Sequence, residues 1–135
     1  MKATKQQLLD GLNVFTRSFI ACGLELADNP DMGEDSIKDK MPWDINRESL
    51  EKIIADCAKF LADARGFLDF DDTKLMERAG YDFWLTRCGH GVGFWDREEV
   101  YGEREAEVLT EISHKFINCD FFRNTGSRWV GWEAM

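Results

Sequence analysis

His90 is one of two histidines in the chain and stands among glycines in the segment GYDFWLTRCGHGVGFWDR, residues 80–97. Glycines at 89, 91 and 93 admit positive φ and close backbone approach. An imidazole held there can be presented to a ligand or serve as a general acid or base. In that reading His90 is the candidate catalytic residue, Asp96 orients its ring, and Arg87 and Arg97 hold an anion. The competing reading is a hairpin whose turn needs the glycines and whose histidine is an exposed turn residue. His114, the other histidine, falls beside the apolar positions Ile112 and Phe116. A two-histidine metal site would need both to converge with carboxylates, and no metal is expected. The acids Asp69, Asp71 and Asp72 lack the glycine and terminal glutamate of a calcium loop. No HExxH, P-loop, GxGxxG or GxSxG pattern occurs, so no nucleotide or other cofactor is expected.

The cysteines, Cys22, Cys57, Cys88 and Cys119, contain no Cys-x-x-Cys pair, which argues against a zinc ribbon or a thioredoxin-type site. Cys22 and Cys57 fall on apolar helical stripes and read as small core residues, as does Cys119. Cys88, beside the glycine turn, is the one expected to be most exposed. Only His90 is near it in sequence to lower its pKa.

Charge is the strongest compositional signal. The 135 residues carry 17 basic and 26 acidic side chains, a formal net charge of -9. That balance argues against direct nucleic-acid binding through a general positive surface and against a polybasic membrane face. No apolar run reaches the roughly 18 residues of a membrane span, and the first residues lack the pattern of a signal peptide. The expected setting is a cytoplasm, with no membrane partner. Acids concentrate at residues 25–56 and again at 98–111, where Glu98, Glu99, Glu103, Glu105, Glu107 and Glu111 face Arg104 alone. Such arrays dock on basic partners or imitate a phosphate backbone, or they are simply solvated helix faces. Five tryptophans offer further surface: Trp129 and Trp132, near the last residue, are expected to be partly exposed and suited to an interface.

The elements that must position these groups follow from periodicity. Leu8, Leu12, Phe15, Phe19, Cys22 and Leu26 predict one helix over residues 4–26. Pro30, Gly33 and Pro42 predict a long connector, packed in part through Trp43. Asn46 caps a helix over 46–64 with Leu50, Ile53, Cys57 and Phe60 inside and Gly66 beyond its end. A brief helix over 72–79 stops at Gly80. From Tyr81 the alternating pattern predicts strand, glycine turn, strand, buried on both faces around Phe83-Trp84-Leu85, with Trp84 and Trp95 paired across the strands. A last helix spans 103–117, and Phe121-Phe122 and Trp129-Val130 flank a second hairpin turning at residues 124–127. The fold class is α+β: one domain, a helical part over 1–79 and a hairpin-helix-hairpin part over 80–135, with helices on one face of a small antiparallel sheet built from two hairpins.

Over residues 79–97 the chain resembles a family of small accessory proteins of tailed bacteriophages and prophages, whose shared core reads approximately AGHDFWLTRNGHGAGFWDR. Tyr81 replaces the family's histidine and Cys88 its asparagine. The resemblance implies an accessory protein acting in a host cytoplasm and implies no established reaction. Residue chemistry and resemblance together lead to an acidic interaction protein that binds a host or phage protein, with inhibition of a host defence or nucleic-acid enzyme as one form of that role. Its expected binding residues are Arg87, His90, Asp96, Arg97, Glu103, Glu105, Glu107, Trp129 and Trp132. The alternative is a small-ligand-binding protein or enzyme built on the glycine-rich turn around His90.

Overall fold

A computed structural model describes residues 2–26, 37, 39–123 and 126–134. The described elements are α1 (Lys5–Asp10), α2 (Val14–Leu26), α3 (Arg47–Asp63), α4 (Thr73–Arg87), α5 (Glu98–Tyr101), α6 (Glu103–Ser113), β1 (Cys119–Arg123) and β2 (Val130–Ala134). Two 3-10 turns, Pro42–Asp44 and Phe94–Asp96, precede α3 and α5. The fold is α+β, but among the described residues its sheet is a single antiparallel pair, β1 with β2.

The first expected helix is two. Thr4 caps α1 through its hydroxyl, which accepts from the Gln7 N–H at 3.1 Å, and Gly11 ends it. Asn13 then restarts the chain as α2, its Oδ1 accepting from the Thr16 N–H at 2.8 Å. The apolar stripe continues across the break, which is why periodicity alone does not reveal it. Helix α3 begins at Asn46 as the sequence predicts, with the Ser49 N–H donating to its side chain at 2.9 Å. Leu50, Ile53, Cys57 and Phe60 form its buried face.

The largest departure is at residues 80–97. The hairpin predicted there is absent: α4 starts at its cap Asp72, passes through Gly80 without stopping and ends at Arg87. Gly80 is a packing notch. A Cβ at that position would lie 2.1 Å from the Phe15 carbonyl oxygen of α2, so the two helices cross with backbone nearly touching. Gly23 makes the reciprocal notch, where a Cβ would come within 2.5 Å of the Trp84 ring. Residues 82–87 are buried on all sides. A helix enclosed all round loses its amphipathic period, and a short stretch of it reads like a doubly buried strand.

The core is a run of aromatic rings between these helices. Phe83 stacks on Phe60 at 4.3 Å, Phe60 on Phe15 at 5.2 Å, and Trp84 on Phe121 at 5.4 Å between ring centroids. Trp84 is thus buried, whereas Trp95 is 40% exposed, and the expected cross-strand pair does not form. The helix expected over 103–117 ends at Ser113, leaving Ile117 exposed. In the connector Ile37 is buried, but Trp43 is 54% exposed and contributes its carbonyl, which accepts from Lys5 Nζ at 2.8 Å. Met32 lies outside the described residues, as do Asn124 and Thr125 of the second turn.

The C-terminal hairpin forms as predicted, with Phe121 opposite Trp132. It is tied to the start of α3: the Trp132 N–H donates to Ser49 Oγ at 2.8 Å and the Asn46 N–H to the Val130 carbonyl at 2.9 Å. That docking buries Trp132 to 2% exposure, against the expectation of a partly exposed ring.

Candidate functional site

The segment at residues 79–97 is the second half of α4, a glycine-bearing loop and the 3-10 turn. Its polar side chains hold that loop against the helix and close the loop's own turn. Thr86 Oγ1 accepts from the Phe94 N–H at 3.0 Å, and Asp96 Oδ1 accepts from the Gly93 N–H at 2.9 Å. Gly93 is required by proximity, since a Cβ would stand 2.2 Å from Thr86 Oγ1. Asp96 therefore closes the turn and does not orient His90. The imidazole of His90 is exposed and makes no hydrogen bond among the described residues. Its backbone N–H donates to the Leu85 carbonyl at 3.1 Å, flanked by Gly89 at φ 68° and Gly91 at φ 79°. The positive-φ role expected of those two glycines is present, and its effect is to terminate α4.

Arg87 does not face outward to hold an anion. Its side chain is 1% exposed. Nε donates to the Ile117 carbonyl at 2.7 Å, Nη2 pairs with Asp56 at 2.9 Å, and the guanidinium lies 5.1 Å from the ring centres of Phe116 and Trp132. It ties α4 to α3 and to the segment entering β1. The planar fork suits this, because it bonds in its plane while packing its faces on rings.

Arg97 has a different surrounding. Its Nε donates to Asp82 Oδ1 at 2.8 Å, and the other carboxylate oxygen accepts from the Tyr101 hydroxyl at 2.7 Å. Asp82 is 1% exposed, on the inward side of α4. Burial, and then the Asp82 charge, push the Tyr101 phenol well above its ordinary range. The hydrogen bond that Arg97 donates to Asp82 raises the Arg97 pKa above its ordinary value. Sequence reasoning names Arg97 but neither Asp82 nor Tyr101. The available signal is an aspartate inside an otherwise apolar run, which in a buried helix demands a paired cation.

Arg97 also lines a cleft of about 540 Å³ with Ser18, Lys74, Glu77, Arg78, Tyr81 and Asp82. On α4 these fall at steps of three and four residues, one face of the helix.

Of the acidic residues, Glu98, Glu99, Glu103, Glu107 and Glu111 are exposed. Glu105 is half-buried and turns back toward Gly102, where its Oε2 is 2.5 Å from the position a Cβ would take. Trp129 is 44% exposed, with Lys5 Nζ 4.1 Å and the Arg128 guanidinium 4.7 Å from its ring centre. Trp132, buried under the hairpin, offers no exposed ring.

The cysteines separate by environment. Burial pushes Cys22 and Cys57 up to about 12. Cys88 is half-buried, with its Sγ 3.4 Å from Cys119 Sγ. The hydrogen bond from Cys119 lowers the Cys88 pKa while Cys119 rises. His90 plays no part in that shift. Because the thiolate is the nucleophile, iodoacetamide at neutral pH is expected to label Cys88 first and to leave Cys22 and Cys57 unlabelled until the protein unfolds. Peptide mass mapping over a time course checks this, and early labelling of Cys57 would contradict the packing around α3.

Among the described residues no three His, Cys, Asp or Glu side chains converge as metal ligands would, and no helix is long and apolar enough to cross a membrane. Comparison with family models, with curated proteins and with solved structures finds no match to this chain.

Proposed function

We propose that the chain is a phage-encoded accessory protein that docks by an acidic face onto a host or phage protein in the host cytoplasm, and that inhibition of a defence or nucleic-acid enzyme is a form this docking takes. The observation supporting it is the ridge on α6. Glu103, Glu107 and Glu111 recur every four residues, are exposed, and form no ion pair among the described residues. At a rise of about 1.5 Å per residue they place a charge roughly every 6 Å along the helix, and Glu98 and Glu99 add exposed charge on α5. Unpaired carboxylates in a row steer a basic partner and contribute chiefly to the rate of encounter. The phage origin rests on the likeness of residues 79–97 to the family core.

The test uses the full chain as bait in an infected-host lysate, followed by association kinetics with the captured protein. Reversal of Glu103, Glu107 and Glu111 to lysine is expected to slow association about tenfold or more while dissociation changes little, and added salt is expected to have the same effect on the unaltered chain. Binding that ignores both salt and the reversal would remove the acidic face and point to the exposed rings of Trp43, Trp95 and Trp129. The alternative, a ligand or catalytic site at His90, has less support, because no acid or base is positioned against its imidazole among the described residues.

A further inference from the structure

We infer that the cleft bounded by α2, α4 and the approach to α5 binds a small phosphorylated molecule, held by Lys74, Arg78 and Arg97. The cleft is separate from the acidic ridge and does not depend on the docking role.

Its volume, about 540 Å³, lies within the range of small-molecule sites, about 300–1,000 Å³. Its charge runs against that of the chain. Three cationic side chains line it against two acids, Glu77 and Asp82, in a protein of net charge -9. Asp82 does not compete with a ligand for these cations. Both its oxygens are engaged, one by Arg97 and one by Tyr101, and the carboxylate is almost wholly buried.

Preorganisation is the stronger argument. Arg97 is fixed through Nε to an aspartate that is itself held by the Tyr101 hydroxyl. The side chain of Arg97 nevertheless keeps 24% of its exposure, and its two terminal nitrogens have no partner among the described residues. A guanidinium anchored at Nε and open at its tip has already lost the rotamer freedom that an anion would otherwise have to remove. Lys74 and Arg78 lie one helical turn apart on the same wall, and neither has a carboxylate within 4 Å among the described residues. The Ser18 hydroxyl donates to the Glu77 carbonyl, which ties the α2 wall to α4.

A phosphate monoester fits this donor set. It carries a charge of about -1.5 to -2 at pH 7 and three strong acceptor oxygens, and arginine forks bind such oxygens in pairs. The remaining volume and the half-exposed ring of Tyr81 receive the organic part of the molecule.

The experiment is a heteronuclear NMR titration of the full chain with inorganic phosphate, with adenosine 5′-monophosphate and with adenosine. The monophosphate is expected to shift the amides of residues 74–81 and 97 saturably. Inorganic phosphate should shift the same set more weakly, and adenosine should leave it unmoved. K74Q and R78Q, both at exposed positions, should each weaken the monophosphate about tenfold with unchanged melting temperatures. R97K keeps a charge beside Asp82 but loses the fork, and should weaken binding at least as much. If R97K also melts early, the other two variants decide. No saturable shift at millimolar phosphate or monophosphate would overturn the inference. So would equal shifts with adenosine, or an affinity that survives the double variant K74Q/R78Q.

Discussion

Truncating Trp84 to alanine is expected to cost about 3–5 kcal/mol of stability, whereas the same change at Trp95 should cost under about 1 kcal/mol. Trp84 is 1% exposed, stacked on Phe121 and set edge-on to Phe19 at 5.0 Å. Its ring fills the notch that Gly23 leaves in α2, so truncation opens a cavity between a helix pair and the hairpin. Trp95, 40% exposed, lies over Gly93 at the edge of the loop. The two residues are eleven apart in sequence and both sit in the pattern Phe-Trp. Denaturant midpoints for the two variants separate the readings: equal losses would mean the two rings share one buried cluster, as a hairpin would have placed them, and would contradict an α4 that runs through to Arg87.

The contrast between these tryptophans shows what the chain reveals before it is folded. Helix α3 is legible because it has one apolar face, a capping asparagine and a solvated opposite side. The C-terminal hairpin is legible because its two apolar runs flank a turn of small polar residues. The second half of α4 is not, because alternation and full burial yield the same string when an enclosed helix is only a few residues wide. Gly80 misleads for a related reason. Glycine as a stop signal and glycine as a notch for a crossing helix are indistinguishable until the partner, here the Phe15 carbonyl, is known. At the candidate site, exposure is legible for solvated side chains: Glu103 and Glu107 on α6 and Trp129 beside Lys5 are exposed. That legibility fails where a polar side chain is turned inward, or back onto its own turn, to serve the fold. Arg87 and Asp96 look like ligand-binding groups by type, yet buried Arg87 bonds the Ile117 carbonyl and Asp56, and exposed Asp96 accepts from the Gly93 N–H of its own turn. Asp82, hidden within an apolar run, proves to be the anchor of Arg97.

That anchoring gives the segment at residues 79–97 a physical meaning without a reaction. Asp82 with Arg97 and Thr86 with the Phe94 N–H are two polar closures between one helix and the loop that returns along it, and Asp96 with the Gly93 N–H closes the loop's own turn. Each side chain is matched in length to its partner, so the spacing of the motif is set by the fold. The loop in turn delivers Phe94 to the core, where it stacks on Phe60 at 5.8 Å, and delivers Arg97 to the rim of the cleft. A ligand site at Arg97 would then draw its rigidity from interactions that stability alone requires.

The second large effect is expected at the helix crossing. Gly80→Ala should destabilise the protein by about 3 kcal/mol or more, the upper range for overpacking, although alanine is the better helix former by about 1 kcal/mol. The added methyl would sit 2.1 Å from the Phe15 carbonyl oxygen and 3.0 Å from Ser18 Cβ. Backbone cannot swing aside as a side-chain tip can, so α2 and α4 must part along their length, and Phe15, Phe19 and Phe83 would lose contact together. Gly89→Ala is the matched control. Nothing lies within 4 Å of its Cβ position, but φ is 68°, so only backbone strain opposes the change, at about 1 kcal/mol. Thermal melts of the two variants compare crowding within α4 with strain just beyond its end. A stop-signal glycine at residue 80 would make the order reverse, with Gly80→Ala mild or stabilising and Gly89→Ala the worse, and that order would rule out the close α2–α4 crossing on which the core and the cleft both depend.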